Sequence, residues 1–389
     1  MQAVKLKENI YWVGAIDWKL RNFHGYATEK GSTYNAYLII DEKITLIDTV
    51  KAPFLDEMLE RIASVVDVSK IDYIVSNHAE PDHSGSLVAL SKICPQAKIY
   101  TSFPNGVKIL KALYGDVLTL NPLKSGDSLS LGEKTLNFVT TPMVHWPDNM
   151  VSYLAEDKIL FSNDAFGQHY ASFERIDKDL DIAQVLYQAK KYYANIVLPY
   201  GAQVKKALEA LATLDITTIA PSHGIVWEKN IPEILQLYKD FTLNSQKEKA
   251  VIVYDTMWGS TEKQAKAIAD GFLAKNIQVV LMDLTNNHIS DVITELVYAK
   301  YIAVGSPTLN NNMLPTVASF LCYMKGLAPK ELKYLAFGSY GWGGQSIGLV
   351  EKELQSMEAE ELMPAEKQLF VPTKDNLTQL TSRVISALE

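Results

Sequence analysis

Apolar positions along this chain follow two rhythms that change near residue 245. The stretches NIYWVGAID, STYNAYLII and ITLIDTV, within residues 9–50, are rich in β-branched and aromatic residues and are broken by the polar turn Asp41-Glu42-Lys43, which predicts β hairpins. Spacing of three and four then predicts a helix near 53–65, a strand IDYIVSN, a helix SGSLVALSKI, a strand KIYTS and a helix GVKILKALY. A second β-rich stretch runs through LNFVTTPMV and MVSYLAEDKILFSND, with Glu156-Asp157-Lys158 as a turn. Helical patterns at about 180–194, 202–213 and 232–243 follow, with the strand TTIAPS between the last two. The expected layout is two sheets with helices outside them.

The polar segment LNSQKEKA precedes the change of rhythm, and the expected domains are 1–248 and 249–389. Beyond it, AVIVYD, QVVLMDL, YIAVGSP, YLAFGSY and QLFVP are five short apolar strands, each followed by a helical pattern. Alternating β and α units predict a doubly wound parallel sheet.

A length of 389 residues with 48% hydrophobic side chains suits two buried cores. The net charge of −8 excludes a sequence-independent nucleic-acid binder, which needs a basic face. The opening MQAVKLKENIYWVGAID has no apolar leader, and no apolar run is long enough to span a bilayer, so a soluble cytoplasmic chain is expected. Cys94 and Cys322 are isolated, which excludes an internal thiolate-held iron–sulfur or rubredoxin-type centre. Electrons must then enter from outside or through an organic cofactor.

Seven residues with metal-binding side chains follow apolar strands: His78, Glu80, Asp82 and His83 in SNHAEPDHSGS, His145 in TTPMVHWPD, Asp164 in LFSNDAFG and His223 in APSHGIVW. A lone histidine after a strand is more often a cap or a satisfied core residue. Four such residues within six positions, joined by three at later strand ends, point instead to two metal ions bridged by one carboxylate, Asp164.

These motifs resemble the metal site of the metallo-β-lactamase fold, and specifically its flavodiiron branch; the resemblance implies an αββα sandwich. Hydrolases of that fold carry H-x-H-x-D-H, whereas Glu80 stands at the second histidine position here. A carboxylate there makes the site harder and more anionic, which favours iron over zinc and redox chemistry over activation of water. The resemblance also places His24, in RNFHGYATEKG, beside the di-iron pocket as a donor of hydrogen bonds or protons, with Tyr26 and Tyr193 as similar candidates. His169 and His288 read as ordinary surface or supporting residues.

Three loops follow the first, third and fourth strands of the second half, where a sheet of flavodoxin order gathers its ligand loops. The first offers Thr256, Met257, Trp258, Gly259, Ser260 and Thr261, whose hydroxyls and helix-start amides suit a phosphate. The second offers Ser306, Pro307, Thr308, Leu309, Asn310 and Asn311, and the third Ser339, Tyr340, Gly341, Trp342, Gly343 and Gly344. One hydroxyl-rich loop is usually a simple helix cap. Three at the right strands resemble a flavodoxin-like FMN site, and YDTMWGST in particular resembles the flavodiiron phosphate loop. No dinucleotide fingerprint appears.

Together the two resemblances imply FMN and two non-haem irons as cofactors, with electrons passing from a donor through FMN to iron for reduction of O2 to water or NO to N2O. They imply an external donor, rubredoxin or alternatively F420H2, and a head-to-tail homodimer or a dimer of dimers. The competing readings are a dinuclear zinc hydrolase with a fused flavodoxin module, decided by the metal bound, and an electron carrier whose first domain is a docking scaffold, decided by metal-dependent flavin reoxidation.

Overall fold

The hairpin-forming stretches of the first half build the antiparallel part of a seven-stranded sheet. Its order is Val4–Lys7, Ile10–Trp12, Tyr37–Ile39, Thr45–Ile47, Tyr73–Ser76, Lys98–Ser102 and Leu120–Leu123, the last four strands running parallel. A five-stranded sheet, Ser128–Ser130, Thr135–Thr140, Met150–Leu154, Ile159–Asn163 and Thr218–Pro221, is antiparallel except for its last pair. This is a computed structural model, and it describes residues 1–243 and 246–389.

Alternation along the strands decides what each face buries. In the first sheet Tyr37, Ile39, Ile47 and Val75 point one way and pack with Leu136, Phe138, Met150 and Phe161 of the second sheet. Leu38, Leu46 and Ile74 point the other way and are covered by Met58, Ile62, Leu87, Leu90 and Leu110 from helices. Both faces are apolar because both are covered. The helices Gly201–Leu211 and Ile231–Thr242 lie near Leu160 and Ile219 of the second sheet, completing the αββα sandwich. The edge strand Leu120–Leu123 contains Pro122, which cannot donate to a ladder and is tolerated at an edge.

The later half forms one parallel sheet in the order Gln278–Asp283, Lys247–Tyr254, Ala299–Gly305, Lys333–Tyr340 and Glu360–Glu361, with Glu366–Leu369 pairing to Lys333–Tyr340. Its reversal of order at the first strand is the flavodoxin arrangement. Helices Ser260–Ala274 and Lys374–Ala387 cover one face through Ile268, Phe272, Leu380 and Val384. A Cβ at Gly271 would stand 2.7 Å from Val384, so glycine lets these two helices meet closely.

By its contacts the chain divides into two units. One comprises 1–24, 28–192 and 200–242, and the other 25–27, 193–199 and 243–389. The expected boundary between 248 and 249 falls inside the strand Lys247–Tyr254. Among the described residues no helix is long and apolar enough to cross a membrane.

Candidate metal centre and flavin cleft

All the ligand-type side chains of the first unit follow the carboxyl ends of strands. His78 and Glu80 leave the strand Tyr73–Ser76, and Pro81 opens a short turn of helix that presents Asp82 and His83. His145 lies in the turns between Thr135–Thr140 and Met150–Leu154, Asp164 follows Ile159–Asn163, and His223 follows Thr218–Pro221.

Their donor atoms gather into two groups, His78 with Glu80, His145 and Asp164, and Asp82 with His83 and His223. Asp164 faces both. Its Oδ2 is 3.5 Å from His78 Nε2 and 3.2 Å from His145 Nε2, while its Oδ1 is 3.1 Å from His83 Nε2 and 3.8 Å from His223 Nε2. Glu80 Oε2 lies 3.3 Å from His78 Nε2 and 3.4 Å from His145 Nε2, and Asp82 Oδ2 lies 3.3 Å from His223 Nε2. Donors that share one ion at about 2.1 Å stand about 3 to 3.4 Å apart, so these spacings fit one ion in each group.

The polar groups here are unsatisfied without ions. Both carboxylate oxygens of Asp82 and of Asp164, and both ring nitrogens of His83, are buried with no hydrogen bond, a costly state unless something binds them. Burial disfavours the charged form of His83, yet Asp82 and Asp164 outweigh it and push its pKa up to about 9. For His145, burial is likewise outweighed by Asp164 and Glu80, again to about 9. Burial alone would raise the pKa of Asp164, but His83 and His145 hold it well below the carboxylate range. The pocket is built for positive charge, which protons supply when metal does not.

Two contacts orient the histidines from behind. His223 Nδ1 donates to the Thr33 carbonyl at 2.7 Å, leaving Nε2 for the metal side. His78 Nδ1 lies 3.1 Å from Asp148 Oδ2, which also accepts from the Ala79 amide at 2.7 Å. The run HWPD carries Asp148 three residues after His145, the signal by which the sequence could have marked it.

His24 stands at the mouth, its side chain 75% exposed and its Nε2 3.5 Å from Glu80 Oε1. Tyr26 and Tyr193 are buried and belong by their contacts to the second unit. His169 is fully buried rather than a surface residue, with its ring 4.8 Å from that of His223 and Nδ1 2.7 Å from Ser32 Oγ. Burial, reinforced by His223, holds it neutral. His288 caps the helix Ile289–Leu296 by accepting from the Ser290 amide.

In the second unit the loops after the first, third and fourth strands border a cleft of about 550 Å³, ordinary for a small organic cofactor. Met257, Trp258 and Ser260 line it from the first loop, Pro307, Thr308, Asn310 and Asn311 from the second, and Ser339, Tyr340, Gly341, Trp342 and Gly343 from the third. Thr256, Gly259, Thr261 and Ser306 support the loops instead. Thr256 Oγ1 accepts from the Gly259 amide, Thr261 meets Ser339 Oγ at 3.0 Å, and Ser306 Oγ accepts from Leu314. Leu309 and Gly344 do not line the cleft, while Phe370 and Val371, beyond the last strand, do. Trp258 and Trp342 are 91% and 94% exposed. Gly259 holds φ +78° just before the helix Ser260–Ala274, whose amino end faces the cleft through Ser260.

A lactamase-type sandwich with a carboxylate-rich, two-metal ligand set, followed by a flavodoxin-type sheet, defines a flavin-linked binuclear metalloprotein. Residues 33–224 match the ODP family beta lactamase, and residues 252–378 match flavodoxin. Over 382 residues, 97% of this chain and 96% of the relative, it is 42% identical to a protein of Moorella thermoacetica named nitric oxide reductase. It is also 42% identical to the rubredoxin-oxygen oxidoreductase of Megalodesulfovibrio gigas, over 98% of this chain and 96% of that one. Among solved structures, the flavodiiron protein of Giardia intestinalis superposes with a TM-score of 0.96 at 36% identity, covering 100% of this chain and 96% of that one. The chain belongs to the flavodiiron protein family.

Proposed function

We propose that this chain is an oxidoreductase that reduces O2 to water or NO to N2O, taking electrons into FMN at the cleft and passing them to two irons held by the paired ligand groups. The observation that carries this reading is Asp164, a buried carboxylate whose two oxygens face different ligand groups, as a bridge between two ions requires. His78, Glu80 and His145 would complete one position and Asp82, His83 and His223 the other. The irons, when bound, supply reducing equivalents and open coordination positions. Glu80, Asp82 and Asp164 give the set its negative charge, which favours iron over zinc.

Both reductions consume protons as well as electrons. His24, exposed and within reach of Glu80, suits delivery of protons from solvent. Tyr26 and Tyr193 are assigned the same task by family resemblance. Burial raises the pKa of the Tyr193 hydroxyl, so it is held as a donor. The donor of electrons is an external rubredoxin-type protein, and the working unit is a head-to-tail homodimer. Exposed Trp258, Trp342, Phe370 and Val371 around the cleft supply the apolar surface that docking needs.

The test is anaerobic stopped flow of the fully reduced protein, loaded with iron and FMN, against O2 and against NO. Reoxidation of flavin that requires iron is expected. Reoxidation at the same rate after iron is removed would sink the reading.

A further inference from the structure

Behind the ligand groups, the first unit holds two adjoining apolar cavities. The outer one, about 230 Å³, lies between the helices Gly201–Leu211 and Ile231–Thr242 and the strand residues Leu160 and Ile219, with the exposed Lys239 at its rim. The inner one is about 10 Å³, near the smallest space that admits a water molecule. Phe166, Leu208 and Leu211 line both, so a single layer of side chains separates them. The inner cavity is also walled by Val144 and Ala165, the residues immediately before His145 and immediately after Asp164.

We propose that these cavities are the entry route of the diatomic substrate to the metal centre, with Phe166 as its constriction. The inference rests on the reductase reading. Water entering such a space needs two to four polar partners. Of the inner lining only Thr141 and Tyr238 carry polar side chains, and the Tyr238 hydroxyl already accepts from the Phe166 amide at 2.7 Å. O2 and NO need no such partners and gain from leaving water, so an apolar passage concentrates them while excluding the solvent. Protons cannot follow that route. Their side is the polar mouth, where His24 stands over Glu80. The constriction is held in place: Phe166 has φ +66°, rarely adopted by a bulky residue, and its ring packs on Tyr238 with centroids 4.5 Å apart.

Xenon, an apolar probe of comparable size, tests the passage without turnover. Crystals of the iron- and FMN-loaded protein under xenon pressure should show it in the outer cavity, against Phe166. Ala207 lines the inner cavity from the helix Gly201–Leu211, so Ala207→Phe should fill that space while leaving xenon in the outer cavity. The same variant should slow bimolecular reoxidation by O2 and NO several-fold, with iron content, FMN content and anaerobic reduction of the flavin by dithionite unchanged. Leu208→Trp, at the half-buried wall common to both cavities, should do the same and decides the matter if Ala207→Phe fails to fold. Xenon absent from the wild-type outer cavity, or either variant reacting at the wild-type rate, would overturn the route alone. A wild type inert to both gases would overturn the reductase reading and the route with it.

Discussion

Asp148 Oδ2 lies 3.1 Å from His78 Nδ1, on the far side of the ring from Glu80 and Asp164. Both side chains are fully buried, so this contact, which turns the imidazole toward the metal position, is shielded from water. Asp148→Asn keeps the volume but removes the negative charge behind the ring. Metal affinity should fall by roughly 10- to 100-fold, the usual consequence of losing such a partner. Competition against a chelator measures it, and unchanged affinity would mean that the pair is only structural.

Glu80→His converts the ligand set toward H-x-H-x-D-H. One anionic donor is lost beside His78 and His145. Iron retention after dialysis and reductase turnover should both fall, zinc should be held in preference, and FMN should stay in place. Elemental analysis with unchanged iron and activity would remove Glu80 from the ligand set.

The pH dependence follows from His83 and His145, each raised from 6.5 to about 9 in the metal-free fold. A pKa raised by folding adds stability that is fully present below about 6.5 and is lost as pH rises through 9. Metal binding has the opposite sign, because each ring must give up its proton. Between pH 7 and 9.5 the metal-free protein should therefore lose thermal stability while its affinity for Fe(II) rises, and loading at pH 7 should release protons. Calorimetric titration in buffers of different ionisation enthalpy counts them; loading without proton release would contradict these protonation states.

Much of this arrangement was legible in the chain because strand ends and chemistry coincide. The run NHAEPDHSG announces itself, since four metal-binding residues in six positions have no simple structural use. The doubly wound half declared itself through five apolar strands with helical intervals. Other features were invisible for physical reasons. Leu120–Leu123 carries a proline and pairs on one side only, so no strand pattern forces it. Phe370 and Val371 lie beyond the last strand and reach the cleft only because that strand pairs beside Lys333–Tyr340. His169 read equally as a surface or a supporting residue, and only the fold shows Ser32 and the His223 ring enclosing it.

Trp258→Ala with Thr256→Ala attacks the flavin cleft alone. Trp258 lines the cleft, and an aromatic stacking contact contributes about 1 kcal/mol. Thr256 Oγ1 holds the Gly259 amide at 3.1 Å, a hydrogen bond worth about 1 kcal/mol to the loop. Together the losses should weaken FMN binding by roughly thirtyfold. Fluorescence titration with FMN reads this, and iron content should not change. Loss of iron in the same variant would show that the two sites depend on one another.

The proposed head-to-tail dimer predicts that electrons cross between chains, from the FMN of one to the irons of the other. Two inactive variants test it: His78→Ala with Asp164→Ala removes a ligand of the first group and the carboxylate that faces both, and the Trp258 and Thr256 pair weakens the flavin site. The second variant is assayed at FMN concentrations too low to occupy its weakened cleft. When equal amounts reassociate at random, half the dimers are mixed, and each mixed dimer pairs one intact FMN with one intact metal site across the two-fold. Turnover should recover to roughly a quarter of wild type. Transfer confined to one chain would leave every mixture inactive, because no chain carries both intact sites. Zero recovery with heterodimers confirmed by native mass spectrometry would therefore refute the crossing while leaving both cofactor sites in place.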